Sequence, residues 1–183
     1  MTGTALVGDP ENPPAENWYG YPTCFTVWSP TPFPSLKTGS QFVPQPNSTF
    51  PDHASCEAKS KPPRLSFLAH MAPISNAFHP SGDNLYITFH GSWNRQPASG
   101  YKVLEIPFQK GEDGNWDAVP GPNEQTFGTD VLAAQNPGSC NSPSLTMSTC
   151  IRLAGLSWDP AGERLFVSSD NQAEGEVFVL RKQ

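Results

Sequence analysis

An all-β fold made of a repeated antiparallel meander is predicted from three observations: short runs of alternating apolar and polar residues, turn residues between them, and a second copy of the pattern. Between residues 65 and 107 the runs are Leu65–Leu68, Leu85–Phe89 and Tyr101–Ile106, and the later ones are separated by Pro80-Ser81-Gly82-Asp83 and Pro97-Ala98-Ser99-Gly100. Alternation with period two gives a strand one apolar face, and Pro/Gly-rich tetrapeptides turn the chain. The second copy is Cys150–Lys182. Phe78 matches Trp158, Pro80 matches Pro160, Gly82 matches Gly162, Leu85 matches Leu165, Tyr86 matches Phe166, and the closing strand Tyr101–Leu104 is aligned with Val177–Leu180. Repeats of one meander, each unable to bury its faces alone, are the sequence form of a β-propeller.

The elements follow in chain order. Thr4–Val7 is a candidate strand, and Gly8–Asn17 is a polar, Pro-rich loop. Trp18–Trp28 returns to aromatic and β-branched residues and is expected to begin a blade, with Gly20 and Pro22 interrupting regular pairing. Ser29–Pro63 carries many prolines and little periodicity, as a long surface excursion does. After the first meander comes a second excursion, Gln109–Thr149, with one strand candidate at Asp130–Ala133. The expected layout is one partial propeller domain over 1–183, with blade segments near 17–68, 69–108 and 150–182 and loop excursions 29–63 and 109–149. No amphipathic helix is expected.

Composition agrees with a loop-rich β protein. The 183 residues include 21 Pro and 15 Gly, with 15% charged and 11% aromatic residues. That aromatic content, with the β-branched residues, is enough to build a core. The net charge of −6 argues against a nucleic-acid or anionic membrane partner, which would need a basic face. Four cysteines fall as two sequence-local pairs, Cys24 with Cys56 and Cys140 with Cys150. C-x-x-C metal spacing is absent, so disulfides are the better reading. Asn47-Ser48-Thr49 is a glycosylation acceptor if the chain passes through the secretory pathway. Both features point outside the cell. Met1–Pro10 lacks the charged and apolar regions of a signal peptide, and no run approaches a membrane span. Two clear meanders with part of a third cannot close a propeller, and open ends would expose strand edges. A C-terminal fragment of a longer protein is therefore expected.

Chemistry-bearing residues gather where strands give way to loops. His90-Gly91-Ser92-Trp93-Asn94-Arg95 follows one candidate strand. Rigid sheets commonly present binding groups on such loops. The repeat places His70, two residues before Ala72, and Arg152, two before Ala154, at the same position of successive meanders; His90 and Asp170 form a second equivalent pair. Equivalence predicts that His70 and Arg152 face a shared central channel at one height.

The run FHGSWNR followed by GYKVLEIPF, preceded by AHMAP and, far upstream, by NWYGYPTC, resembles the glucose/sorbosone dehydrogenase family, most closely its fungal branch of PQQ-dependent pyranose dehydrogenases. The resemblance runs from about Asn17 to the C-terminus. It implies the C-terminal portion, about two to three blades, of a six-bladed β-propeller with long Pro/Gly-rich loops. It also implies pyrroloquinoline quinone and calcium as cofactors, and an aldose or ketoaldose as substrate oxidised by hydride transfer. An electron acceptor such as a cytochrome domain or protein would complete the system, in a secreted enzyme. A planar cofactor with three carboxylates calls for converging cationic donors, with Arg as the bidentate partner. His90, Arg95, Arg152 and His70 are carried over as the cofactor-binding residues.

Each of these has a plainer reading. His70 would be a structural histidine, Arg95 the partner of an acidic loop, and Arg152, between Ile151 and Leu153, part of an ordinary ion pair. Trp93 would pack on a neighbouring blade, and Trp18, Tyr19 and Tyr21 would form blade core and channel wall. Asp170 and Asn171 lack the oxygen-rich spacing of a calcium loop, so a turn role is favoured and no metal ligand is assigned. By the resemblance, the histidine general base and the calcium ligands come from the missing amino-terminal half, so the isolated chain is expected to be inactive. The alternative is a non-catalytic extracellular propeller fragment that binds carbohydrate or protein. A further rival is a disulfide-stapled structural domain in which HGSWNR only connects strands.

Overall fold

Two antiparallel meanders with one shared register dominate the structure. The computed structural model describes residues 18–31, 33–140, 150–171 and 175–181. The candidate strand Thr4–Val7 and the loop before Asn17 lie outside them. Among the described residues the chain is mostly β and forms two compact units, one reaching to Phe67 and including Gly121–Gln125, the other comprising Leu68–Pro120 and Thr126–Gln183.

In the first unit, two-residue strands β1 (Phe25–Thr26) and β2 (Gln41–Phe42) pair antiparallel, and helix α1 spans His53–Lys59. The described part of the segment expected near 17–68 thus holds a minimal strand pair and a helix. Asp52 caps α1, its Oδ1 accepting the Ser55 amide at 2.8 Å, and Pro62 and Pro63 lie just beyond its end. This seven-residue helix, with Cys56 as its one buried residue, is too short to show the hydrophobic period by which an amphipathic helix is read from sequence. Trp18, Cys24, Val43, Phe50 and Cys56 form the core, and the Cys24–Cys56 disulfide joins β1's flank to α1. Trp18 is core, as expected, whereas Tyr19 and Tyr21 are exposed, Tyr21 at 77%.

The second unit holds both meanders. Strands β3 (Pro73–Phe78), β4 (Asn84–Phe89) and β5 (Lys102–Lys110) are consecutive; β6 (Trp116–Ala118) pairs with the far end of β5, and β7 (Thr129–Ala133) with its near end. The second meander is β8 (Leu153–Trp158), β9 (Arg164–Ser169) and β10 (Glu176–Arg181). Leu65–Leu68, expected as the first strand, is not one. The partner of β4 is instead Pro73–Phe78, whose first residue is a proline, a position that needs no ladder amide.

The repeat is visible bond by bond. Phe78 pairs with Leu85 as Trp158 pairs with Leu165, and each opening strand contains a register shift. At that shift the Ser75 amide donates to Thr88 Oγ1, and the Gly155 amide donates to Ser168 Oγ, both at 3.0 Å. Gly82 and Gly162 adopt φ of +84° and +71° in matching turns, where a side chain would be strained. The register corrects one alignment. Thr88 pairs with Val103 and its counterpart Ser168 with Val177, so Val103–Ile106 corresponds to Val177–Leu180. The sequence alignment of this strand is off by two residues, a slip that preserves which face each side chain takes.

The meanders pack on Tyr86, Val103, Leu153, Leu165 and Val167, with Trp158, Phe178 and Leu180 against them. A polar bond crosses this core: buried Thr88 donates to the Ala154 carbonyl at 3.0 Å. Thr88→Val leaves that carbonyl and the Ser75 amide without their partner, so a loss of about 1–3 kcal/mol is expected by urea denaturation. The Cys140–Cys150 disulfide closes the segment before β8. At the β8–β9 turn, a side-chain hydrogen bond from Arg164 holds the Asp159 carboxyl below the usual range, helped by the Glu163 and Arg164 amides. A lowered native pKa adds stability above the unfolded-state value of about 3.9, and that stability is lost as pH falls through the native value. Asp159→Asn should therefore flatten the stability-versus-pH curve below about pH 4, measured by thermal melts.

Candidate functional site

At the ends of β4 and β9, both meanders deliver their next residue into one cluster. The His90 amide donates to the Ala72 carbonyl at 2.9 Å, and the Asp170 amide donates to the Arg152 carbonyl at 3.0 Å. His90 and Asp170 are therefore equivalent, as the sequence indicates. The same bonds make Arg152 the counterpart of Ala72, not of His70. The error arises because the Ala-x-x-Ser match between AHMAPIS and IRLAGLS aligns residues that differ by two in register.

The side chains of these residues form a chain of hydrogen bonds. Arg152 Nη2 lies 2.9 Å from His90 Nδ1, and His90 Nε2 lies 2.7 Å from Asp170 Oδ1. A guanidinium nitrogen only donates, so Nδ1 accepts and the ring carries its proton on Nε2, which donates to the carboxylate. Arg152 Nη1 donates to the Tyr101 hydroxyl at 3.4 Å, and the guanidinium carbon stands 5.5 Å from the centre of that ring. Tyr101 is fully buried, and its hydroxyl donates to the Ser92 carbonyl. The Arg152 amide is held by Ser169 Oγ at 2.9 Å.

Burial makes this arrangement chemically pointed. Arg152 is only 9% exposed, yet among the described residues its guanidinium contacts an imidazole nitrogen and a phenol, and no carboxylate. Buried guanidinium groups are usually paired with an anion. The one carboxylate of the cluster, Asp170, is 63% exposed and reaches Arg152 only through His90.

The loop 91–100 is built to hold this geometry. The Ser92 amide donates to the Ser99 carbonyl and the Ser99 amide to Ser92 Oγ, closing the loop. Gly91, at φ +97°, lies flat against the Tyr101 ring, and a Cβ there would stand 2.5 Å from ring atoms. The Gly91 amide donates to the Met71 carbonyl, which ties the 70–72 segment to the loop.

The expected site residues are placed unevenly. His90 and Arg152 are in direct contact. Arg95 is half-buried on the same loop. His70 is exposed, with φ +70°, and reaches the cluster only through its neighbours Met71 and Ala72. Trp93 is 73% exposed. Ser92 lies in the cluster that the sequence marks, whereas Tyr101 and Ser169 carry no site signal there. The one local signal for Tyr101 is a bulky aromatic directly after Gly100, which a strand start explains equally well. No group of three metal-ligating side chains occurs among the described residues, and none of their helices is long and apolar enough to cross a membrane.

The described residues thus form a repeat-built β protein whose paired meanders converge a buried guanidinium on a strand-end loop. The chain belongs to the TrAA12-like family, which matches residues 4–183. It is 39% identical to a pyrroloquinoline quinone-dependent pyranose dehydrogenase of Coprinopsis cinerea over 96% of this chain and 24% of that protein. The holo form of the pyranose dehydrogenase PQQ domain from Coprinopsis cinerea superposes with a TM-score of 0.80 at 34% identity, covering 93% of this chain and 42% of that one. The calcium structure of the Trichoderma reesei family AA12 enzyme gives 0.76 at 31% identity, over 93% and 40%. The chain spans about a quarter to a third of the length of the curated relatives it matches.

Proposed function

We propose that this chain is the C-terminal part of a secreted, PQQ-dependent sugar dehydrogenase built on a six-bladed propeller, and that it supplies one wall of the cofactor pocket. The observation that carries this reading is the buried Arg152 guanidinium without a carboxylate partner among the described residues. Pyrroloquinoline quinone fits that donor set, since it is planar and presents carboxylates to which a guanidinium fork binds in two places. When bound, the quinone supplies the two-electron acceptor for oxidation of a sugar hydroxyl.

The chain's own residues bind and orient. Arg152 would hold a cofactor carboxylate, with His90 fixing the guanidinium's rotation and Asp170 fixing the tautomer of His90. Buried Tyr101 backs the guanidinium and keeps water from that side. Arg95 and His70 are the further hydrogen-bond donors of the same wall, from the loop and from the tethered 70–72 segment. Calcium ligands and the general base would come from the remainder of the protein, as would the contacts that select among sugars and the site for an electron acceptor.

The repeat supports a missing remainder. The edge of β5 carries β7, with Val103 opposite Leu132, whereas the equivalent edge of β10 has no partner strand among the described residues. A strand from elsewhere in the protein would complete that sheet.

The experiment compares the full-length protein with this chain alone, measuring pyrroloquinoline quinone binding by thermal shift and sugar-dependent dye reduction after adding quinone and calcium. Binding and turnover by the full-length protein only are expected. Turnover by the isolated chain contradicts the fragment role. Failure of the folded full-length protein to bind the quinone contradicts the cofactor assignment and favours a carbohydrate- or protein-binding propeller.

A further inference from the structure

The loop before α1 carries a feature that the cofactor site does not use. Asn47-Ser48-Thr49 is the only Asn-x-Ser/Thr sequence in the chain with x other than proline. Asn47 and Ser48 are exposed, while Phe50, immediately after, is buried at 1% against Trp18, with ring centres 5.4 Å apart. Asn47 Oδ1 accepts two backbone amides, those of Thr49 at 2.9 Å and Phe50 at 2.8 Å, and the Asn47 amide donates to the Phe50 carbonyl at 3.0 Å. The Thr49 carbonyl is fixed in turn by Lys59 Nζ of α1 at 2.6 Å.

Those bonds orient the side-chain amide. The oxygen must face the two N–H donors, because reversal would set donors against donors. Nδ2 therefore points away from the turn, and no described residue receives a hydrogen bond from it. The turn is anchored through Phe50 to the Cys24–Cys56 core, so a large group on Nδ2 displaces no packed side chain. Two disulfides place the folding of this chain in an oxidising compartment.

The geometry points to Asn47 as an N-glycosylation site, its Nδ2 presenting an oligosaccharide from the first unit. The step is a transfer without redox change. A bond forms between Nδ2 and C1 of the sugar as C1–O of a polyisoprenyl-diphosphate-linked oligosaccharide breaks; Nδ2 loses one proton and the diphosphate leaves with the electron pair. The inference stands apart from the dehydrogenase reading, since it uses no residue of the cofactor wall.

The test is mass spectrometry of the full-length protein secreted from a eukaryotic host. The tryptic peptide Thr38–Lys59 is analysed before and after peptide N-glycosidase, which converts a glycosylated asparagine to aspartate. A hexose- and N-acetylhexosamine-bearing peptide that the enzyme strips is expected. Asn47→Asp keeps the accepting oxygen and so the turn, and Thr49→Ala removes the acceptor hydroxyl. Both should lose the glycan completely with an unchanged melting profile when compared with enzymatically deglycosylated wild type. Recovery of the wild-type peptide wholly unmodified from folded, disulfide-bonded secreted protein overturns the proposal, as does retention of the glycan in Asn47→Asp.

Discussion

Arg152→Ala in the full-length protein is expected to weaken pyrroloquinoline quinone binding roughly 10- to 100-fold, because a charge-assisted hydrogen bond contributes about 1.5–3 kcal/mol and each 1.4 kcal/mol is tenfold. The guanidinium is pre-oriented by His90 Nδ1 and Tyr101, so little ordering cost remains when an anion arrives. Arg152→Lys keeps the charge but loses the fork, and should restore only part of the affinity. Isothermal titration with the quinone reads both variants. Thermal melts of the same variants without cofactor separate binding from folding: an Arg that served only as an internal ion-pair partner would lower stability and leave affinity unchanged.

Gly91→Ala should be among the most destabilising single substitutions in the second unit, at about 3 kcal/mol or more. Two costs add. The φ of +97° is strained for any L side chain, at about 1–3 kcal/mol, and the new methyl meets the Tyr101 ring at 2.5 Å, an overpacking cost of similar size. Tyr101 has nowhere to go, being fully buried with its hydroxyl held between Ser92 and Arg152. Gly114→Ala is the matched control. Its φ is +81°, but the nearest atom to a new Cβ is a flexible Lys110 carbon at 4.0 Å, so only the backbone cost of about 1–2 kcal/mol remains. Urea denaturation of the two variants isolates the contribution of the ring contact. Because the displaced ring underlies Arg152, Gly91→Ala should also weaken quinone binding, whereas Gly114→Ala should not.

The parts of the fold that sequence reveals are those where one periodic signal has one structural meaning. Leu85–Phe89 and its copy each follow a matched turn glycine, Gly82 or Gly162, at the same spacing, so the β4–β9 equivalence and the His90–Asp170 pair follow directly. Asp130–Ala133, a short run with β-branched and apolar residues, is β7. The cysteine pairs also form as their sequence proximity suggests.

The rest depends on information that period alone lacks. Leu65–Leu68 alternates as convincingly as Pro73–Phe78 does, and only the ladder with β4 shows which segment pairs. Strand faces repeat every two residues, so the two-residue slips at Arg152 and at the closing strand leave every apolar match intact. They are invisible until the bonds from His90 to Ala72 and from Asp170 to Arg152 are seen. Helix α1 is specified by the cap at Asp52 and the Cys56 anchor rather than by a period. Tyr101 enters the site through long-range packing on Gly91 and Arg152, which no local pattern encodes.

The most direct test of the central claim is a crystal structure of the full-length protein soaked with pyrroloquinoline quinone. A cofactor carboxylate within hydrogen-bonding distance of both Arg152 terminal nitrogens, with His90 still bonded to Asp170, is the predicted result. Quinone bound elsewhere in the propeller, with the Arg152 guanidinium facing only protein groups, would contradict it.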